Sequence, residues 1–232
     1  MIGIITKDRY HGLEVLLNSL NPINESIVIM DASIHPRISN IEYTRFFNIH
    51  PSNTTQVVFN KNALIRIFLR STEEHLFLIE DDIKILDNDV FEEYILKGKQ
   101  YNLCHMNFNK PRTNELIYSM NSDITVYEHC EGGFQYFNRK CLEITGLMDE
   151  SFCNNMWEHV EHTIRIHRDN GYIPWVWHFP DLSYSSEMIR YQNIESSIKK
   201  DSVLVDKEMN RMWNKFGGFQ PIDIQRLKII NK

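Results

Sequence analysis

The segment LFLIEDDIKI, residues 76–85, reads as a buried strand running into an acidic turn, and it decides the class of fold. Leu76, Phe77, Leu78 and Ile79 lack the alternation of a strand with one wet face. Both faces are therefore covered, as in a parallel sheet packed between layers of helices. Three acids follow without a break: Glu80, Asp81 and Asp82. Adjacent carboxylates at a buried strand end repel one another, and a hard divalent cation, Mn²⁺ or Mg²⁺, answers that repulsion through carboxylate and phosphate oxygens. A solvated acidic turn that caps the next element is the alternative reading of such a triplet taken alone.

Upstream, the same unit occurs twice. Residues 2–6 form an apolar run ending in Thr6, and Leu13, Leu16, Leu17 and Leu20 recur at helical spacing until Asn21 and Pro22 break the pattern. SIVIM, residues 26–30, repeats the buried-strand signature and ends at Asp31, while residues 62–69 have helical spacing and lead into LFLI. Strands alternating with helices predict an α/β protein with a Rossmann-like, mostly parallel central sheet flanked by helices, its ligands gathered at the carboxyl ends of the strands. Downstream, strands are predicted over 101–108, 123–127 and 134–137, the last opened by Gly132 and Gly133. Helices are predicted over 139–145, stopped by Gly146, and over 157–168. An aromatic strand is predicted over 174–179, and loops with one or two helices from Ser183 onward.

The 232 residues, 42% hydrophobic, suit one domain spanning 1–232. Residues 1–100 are expected to form a nucleotide-binding half, 101–182 a second half that resemblance to a known family makes the acceptor and catalytic one, and 183–232 C-terminal helices and loops. No apolar run reaches the ~20 residues of a membrane-spanning helix. Lys7, Asp8 and Arg9 interrupt the start where a signal peptide is apolar, so a soluble, cytoplasmic chain is expected. Cys104, Cys130, Cys141 and Cys153 form no CxxC pair, which fits a reducing compartment. A formal charge of −6 argues against a general nucleic-acid binder.

Two further clusters carry chemistry. In WEHVEHTIRIHR, residues 157–168, Glu158 and His162 share a helix face at i and i+4, but the order is not the HExxH of zinc peptidases. Acids at a helix start also pair with the dipole, which is their purely structural reading. In VWHFPD, residues 176–181, His178 stands among aromatics, where a histidine is either packed or a ligand.

Taken in order, IIT, IVIMDAS, NKNALIR, LFLIEDD, GGFQYFNRKCLEITGLMDESF and WEHVEHTIRIHRDNGYIPWVW resemble the inverting GT-A glycosyltransferases of family 2, over roughly residues 2–180. The resemblance implies transfer of a sugar, with inversion, from a nucleotide-sugar donor, UDP by default, to a glycan, lipid-linked or protein acceptor. It places Asp31 on the nucleobase, Thr6 on the wall of the base pocket, and Asn62 and Arg66 beside the donor, although both also suit a solvated helix face. Glu80 stands for the first acid of the Asp-x-Asp pattern, touching ribose or metal, Asp81 for the middle position, and Asp82 for the principal metal ligand. His178 would complete the metal shell, with Asp181 as runner-up. Glu158 matches the general base, and His159 or Glu161 could share or take that role, because this chain has Glu-His where the family has Glu-Asp. Two other classes remain in view: a sugar nucleotidyltransferase, whose glycine-rich triphosphate loop TKDRYHG does not supply, and a non-catalytic carbohydrate-binding module.

Overall fold

The computed structural model describes residues 1–20, 25–33, 48–51, 56–110, 117–152, 157–170, 177–194 and 202–217. Four strands run parallel: β1 (Ile2–Thr6), β2 (Ile27–Asp31), β3 (Asn48–Pro51) and β4 (His75–Glu80), in the order β3-β2-β1-β4. β9 (Phe134–Asn138) pairs antiparallel with β4, and β6 (His105–Asn107) antiparallel with β9, which closes a six-stranded sheet. The expected α/β architecture with a mostly parallel sheet is borne out.

The unbroken apolar runs follow from covering both faces. Ile2, Ile4, Ile27, Ile29, Phe77 and Ile79 point into one core with Leu13, Leu16 and Leu17 of α1 (Tyr10–Ser19). Their neighbours Ile5, Val28, Met30, Leu76 and Leu78 point into another, with Val58, Leu64, Ile65 and Phe68 of α2 (Val57–Arg70). Successive strand residues face opposite sides, so each strand needs an apolar residue at every position.

Chain direction reverses around β1: β2 lies on one side and β4 on the other. The carboxyl ends of β1, β2 and β4 therefore open a crevice at the switch point, where ligands of open α/β sheets bind. Register aligns Thr6 with Asp31 and Ile5 with Glu80 along that edge. The Glu80 amide also donates to the Gly133 carbonyl at 2.8 Å, which brings the glycine pair beside the acids.

A second sheet, β10-β8-β7, joins β7 (Ile117–Met120), β8 (Ile124–Tyr127) and β10 (Phe179–Leu182), while β5 (Ile83–Ile85) pairs with β11 (Ile189–Tyr191). The helices that complete the fold are α3 (Val90–Tyr101), α4 (Arg139–Thr145), α5 (Glu158–Asp169), α6 (Ser185–Met188) and α7 (Ser202–Phe216). α4 begins at Asn138, whose side chain accepts from the Cys141 amide, and ends at Gly146, whose φ of 75° favours glycine.

Three sequence expectations are corrected. The strand predicted over 101–108 shrinks to His105–Asn107, because Tyr101 is the last residue of α3 and Asn102, at φ 55°, turns the chain out of it. Of the aromatic strand predicted over 174–179, residues 174–176 lie outside the described residues, and the described strand starts at Phe179 and continues to Leu182. β11 replaces part of the loop expected after Ser183. No described helix is long and apolar enough to cross a membrane.

Buried histidines knit α5 to the sheet. His105 Nδ1 donates to the Tyr136 carbonyl at 2.6 Å and its Nε2 accepts from the Thr163 hydroxyl at 2.8 Å; His162 Nε2 donates to the Gly146 carbonyl at 2.9 Å. Burial pushes the pKa of each down to about 3, and holds His167 well below its ordinary value. Their folded pKa values lie below the unfolded ones, so the stability they leave intact is complete above pH 6.5 and is lost as pH falls towards 3. Urea unfolding at pH 6 and pH 5 is expected to differ by about 1 kcal/mol for each such histidine, and His105→Gln is expected to flatten that dependence; equal midpoints for wild type at the two pH values would contradict it.

Candidate active site

Every acid of the triplet has a cation of the chain against it. Arg9, at the start of α1, pairs with Asp81 and, at 3.2 Å, with Asp82. The Thr6 hydroxyl donates to the other Asp81 oxygen at 2.7 Å. Lys61, fully buried on α2, places its Nζ 2.9 Å from Glu80 Oε1, 3.1 Å from Glu158 Oε1 and 3.2 Å from the Gly132 carbonyl. A single ammonium thus ties the acidic turn after β4 to the start of α5. Burial pulls the Lys61 pKa down, but the two carboxylates outweigh it and hold it above its ordinary value. For Glu158 burial acts upward, and Lys61 followed by His159 outweighs it, leaving the carboxyl well below its usual range.

The balance of charge still favours anions. Four carboxylates, on Glu80, Asp81, Asp82 and Glu158, face two cations, Arg9 and Lys61. Burial accordingly pushes Asp81 up to about 7, against the pull of Arg9, and burial with the Glu80 charge pushes Asp82 up to about 6. Of the buried carboxylate oxygens that accept no hydrogen bond from the described residues, Asp81 Oδ1 and Glu208 Oε2 each face an arginine, and three in the crevice meet no cation of the chain either: Asp31 Oδ2, Asp82 Oδ1 and Glu158 Oε2. The other oxygen of Asp31 accepts the Ser33 amide at 2.9 Å, and the Ser33 hydroxyl accepts the Asp8 amide at 2.8 Å, which fixes the first loop beside Asp31.

Asp82 Oδ1 fits a divalent cation: it is buried, anionic and unpartnered, and Mg²⁺ or Mn²⁺ is commonly held by one or two carboxylates together with substrate phosphates. Among the described residues no three histidine, cysteine, aspartate or glutamate side chains surround one cation position. Glu80, Asp82 and His178 therefore do not close into the ligand set expected from the sequence. His178 lies beside His167 in the buried histidine group, and Asp181 accepts from the Tyr94 hydroxyl at 2.5 Å and from the Asn109 amide and Ser185 hydroxyl, each at 2.8 Å.

Three other expected site residues are committed to the scaffold. Asn62 donates to the Met148 carbonyl at 3.0 Å and accepts the Met148 amide at 2.9 Å, and both Asn62 and Arg66 bond Glu150 at 3.0 Å. They tie α2 to the turn after α4. Glu161 spends its two oxygens on Arg165, at 2.9 and 3.0 Å, and on Lys215 at 2.8 Å. The groups brought together are Thr6, Asp31, Glu80, Asp81, Asp82, Glu158 and His159, whose Nδ1 lies 3.3 Å from Glu158 Oε1.

Arg9, Lys61 and Gln192 were missed from sequence. Lys61 did leave a signal, because Val58, Lys61, Ile65 and Phe68 fall on one helical stripe, and a lysine in an apolar stripe is buried only if paired. Gln192 left none. Its amide donates to the carbonyls of Ile83 at 2.8 Å, Gly12 at 3.0 Å and Asp81 at 3.2 Å, and its backbone amide donates to the Asp82 carbonyl at 2.5 Å. Gly12 is required for that closure, since a Cβ there would stand 2.5 Å from the Asp81 carbonyl oxygen.

A parallel half-sheet with acids along its carboxyl edge, extended by antiparallel strands, defines the GT-A class of α/β fold. Solved structures of the same fold include residues 1–349 of S. aureus TarS (TM-score 0.52, 11% identity, 72% of this chain and 55% of that one). S. aureus TarS itself gives 0.53, 10%, 72% and 33%, and the mannosyltransferase PcManGT from Pyrobaculum calidifontis, in complex with GDP-Man and Mn²⁺, gives 0.50, 10%, 70% and 51%. The match to this chain spans between a third and just over half of each of those chains. No protein-family model matches the sequence, and no curated protein matches it.

Replacing Lys61 by Met leaves Glu80 and Glu158 without their buried counter-ion. The substitution is expected to cost about 3–5 kcal/mol, the usual penalty for breaking a buried ion pair from one side. Guanidinium unfolding measures it, and a loss below about 1 kcal/mol would show that the pair is solvated.

Proposed function

We propose that the chain transfers a sugar from a nucleoside diphosphate sugar to a hydroxyl acceptor, with inversion and with the help of a divalent cation at Asp82. The observation that carries this reading is the set of three unpartnered carboxylate oxygens along one crevice, each at a position where such a reaction needs an acceptor of hydrogen bonds or a ligand. That PcManGT holds GDP-Man and Mn²⁺ on the same fold supports it.

Asp31 Oδ2 would accept an N–H of the base, at the end of β2. Uridine is the first nucleotide to test and guanosine the second. A divalent cation, when bound, neutralises charge on the leaving diphosphate. Asp82 would hold it, and the excess of carboxylates over cations in the crevice favours an added cation before a diphosphate enters. Arg9 and Lys61 keep the acids of the turn fixed in place. The acceptor loses its proton to the Glu158–His159 pair while its oxygen forms the bond to the anomeric carbon. The bond from that carbon to the diphosphate breaks, and its electron pair leaves with the phosphate. One displacement inverts the configuration, and most of the rate comes from positioning and charge stabilisation.

Asp82→Ala is expected to abolish Mn²⁺-dependent binding of UDP or GDP while leaving the circular dichroism unchanged, because the carboxylate repels its neighbours rather than packing a core. Calorimetric titration with and without EDTA reads this out. Unchanged Mn²⁺-dependent binding in the variant would remove the claim. Slow release of nucleoside diphosphate from a nucleotide sugar, with no triphosphate present, separates transfer from nucleotidyl transfer and from simple carbohydrate binding.

A further inference from the structure

We propose that His159 is the catalytic base, and that Glu158 and Lys61 are positioning residues that hold its ring; the assignment rests on the transferase reading above. Two neighbouring side chains compete for the role, and the geometry separates them. Glu158 is the more deeply buried, its side chain 3% exposed against 19% for His159. One oxygen of Glu158 is shared between Lys61 at 3.1 Å and His159 Nδ1 at 3.3 Å. A carboxylate held this firmly in its charged form offers little driving force for taking a proton.

His159 has the complementary arrangement. With Glu158 ionised, the proton of the ring sits on Nδ1 and points at Oε1, so the lone pair is on Nε2. Nε2 has no protein partner among the described residues. This is a base oriented by an acid, with the acid anchored in turn by a buried ammonium, an order of contacts suited to proton abstraction.

Two backbone features make room for it. Trp157, immediately before Glu158, has a φ of 67°, a left-handed conformation costly for a tryptophan and typical of places where the chain is held in a functional shape. At Gly132 a Cβ would lie 3.0 Å from His159 Nδ1 and 3.1 Å from both His159 Cγ and Lys61 Nζ. The absence of a side chain at Gly132 thus lets both partners of Glu158 approach it. In the reaction the acceptor O–H proton passes to Nε2, the oxygen bonds the anomeric carbon as the bond from that carbon to the diphosphate breaks and its electron pair leaves with the phosphate, and the imidazolium faces the Glu158 carboxylate. Glu158 Oε2 remains to accept a hydrogen bond from an acceptor or sugar hydroxyl.

The test uses the whole chain with Mn²⁺ and a nucleotide sugar that it hydrolyses, water serving as acceptor. His159→Ala and His159→Gln are both expected to lose about 10²- to 10⁴-fold in rate while binding the nucleoside diphosphate within about threefold of wild type. Imidazole added to His159→Ala is expected to restore at least about tenfold, and to do nothing for Glu158→Gln. Glutamine at 159 keeps a polar side chain beside Glu158 and cannot take a proton, so it guards against a fold defect in the alanine variant. A loss under about tenfold in both His159 variants, or a loss that imidazole leaves untouched, overturns the assignment. A wild-type chain that binds no nucleoside diphosphate and releases none from any nucleotide sugar removes the transferase reading itself, before the variants are compared.

Discussion

Lys61 sits where α2, the end of β4 and the start of α5 meet. Its helix covers one face of the parallel sheet, and its ammonium reaches across to the turn after β4 and to the first residue of α5. Burying an ammonium is costly unless its donors are filled, and Glu80, Glu158 and the Gly132 carbonyl fill all three. The carboxylates could not stand so close without it, and Gly132 could not approach Lys61 if it carried a side chain, nor Gly133 approach Tyr191. The crevice therefore depends less on a hydrophobic core, which many sequences supply, than on one cation shared among groups from three separate segments.

Arg9 plays a related part on the other side of the acids. It is anchored to Asp81 and Asp82, while Thr6 takes the remaining Asp81 oxygen. Asp81 is thereby wholly occupied by the chain, and Asp82 is left with one free oxygen. Three acids in a row thus divide into distinct tasks: Glu80 holds Lys61, Asp81 braces the first loop, and Asp82 keeps one oxygen free of the described chain. Nothing in the residue types separates these tasks, since the partners come from segments about 20 to 70 residues away in the chain.

Much of the fold was legible because burial on both faces writes an unbroken apolar run into each central strand. The runs at Ile2, Ile27 and Leu76 gave the parallel layer, and Gly146 marked the end of α4 to the residue. The acids at strand ends were legible for the same reason, since an acid after such a run lies at the sheet's edge. The reading weakened where contacts are long-range. Asn62 and Arg66 carry the polar character of a donor-binding helix face, yet they bond the turn holding Met148 and Glu150. Glu161 looks no different in sequence from Glu158, and only the presence of Arg165 and Lys215 on its side of α5 separates them. Gln192 belongs to a segment without apolar rhythm, so its contacts could not be foreseen.

That glutamine has a consequence for the order of events when the protein is made. Its amide bridges Gly12, 180 residues earlier, and Asp81, 111 residues earlier, and β11, which ends just before it, is the partner of β5 among the described residues. Contacts of such separation are slow to form, because a long loop must close before they return any stabilisation. A chain leaving the ribosome will have shown its parallel strands and both of their helices well before residue 192 is available. Through that interval Arg9 and Lys61 are already available to the acids, but the turn lacks its clamp, and the crevice acquires its final shape only after residue 192 has been synthesised.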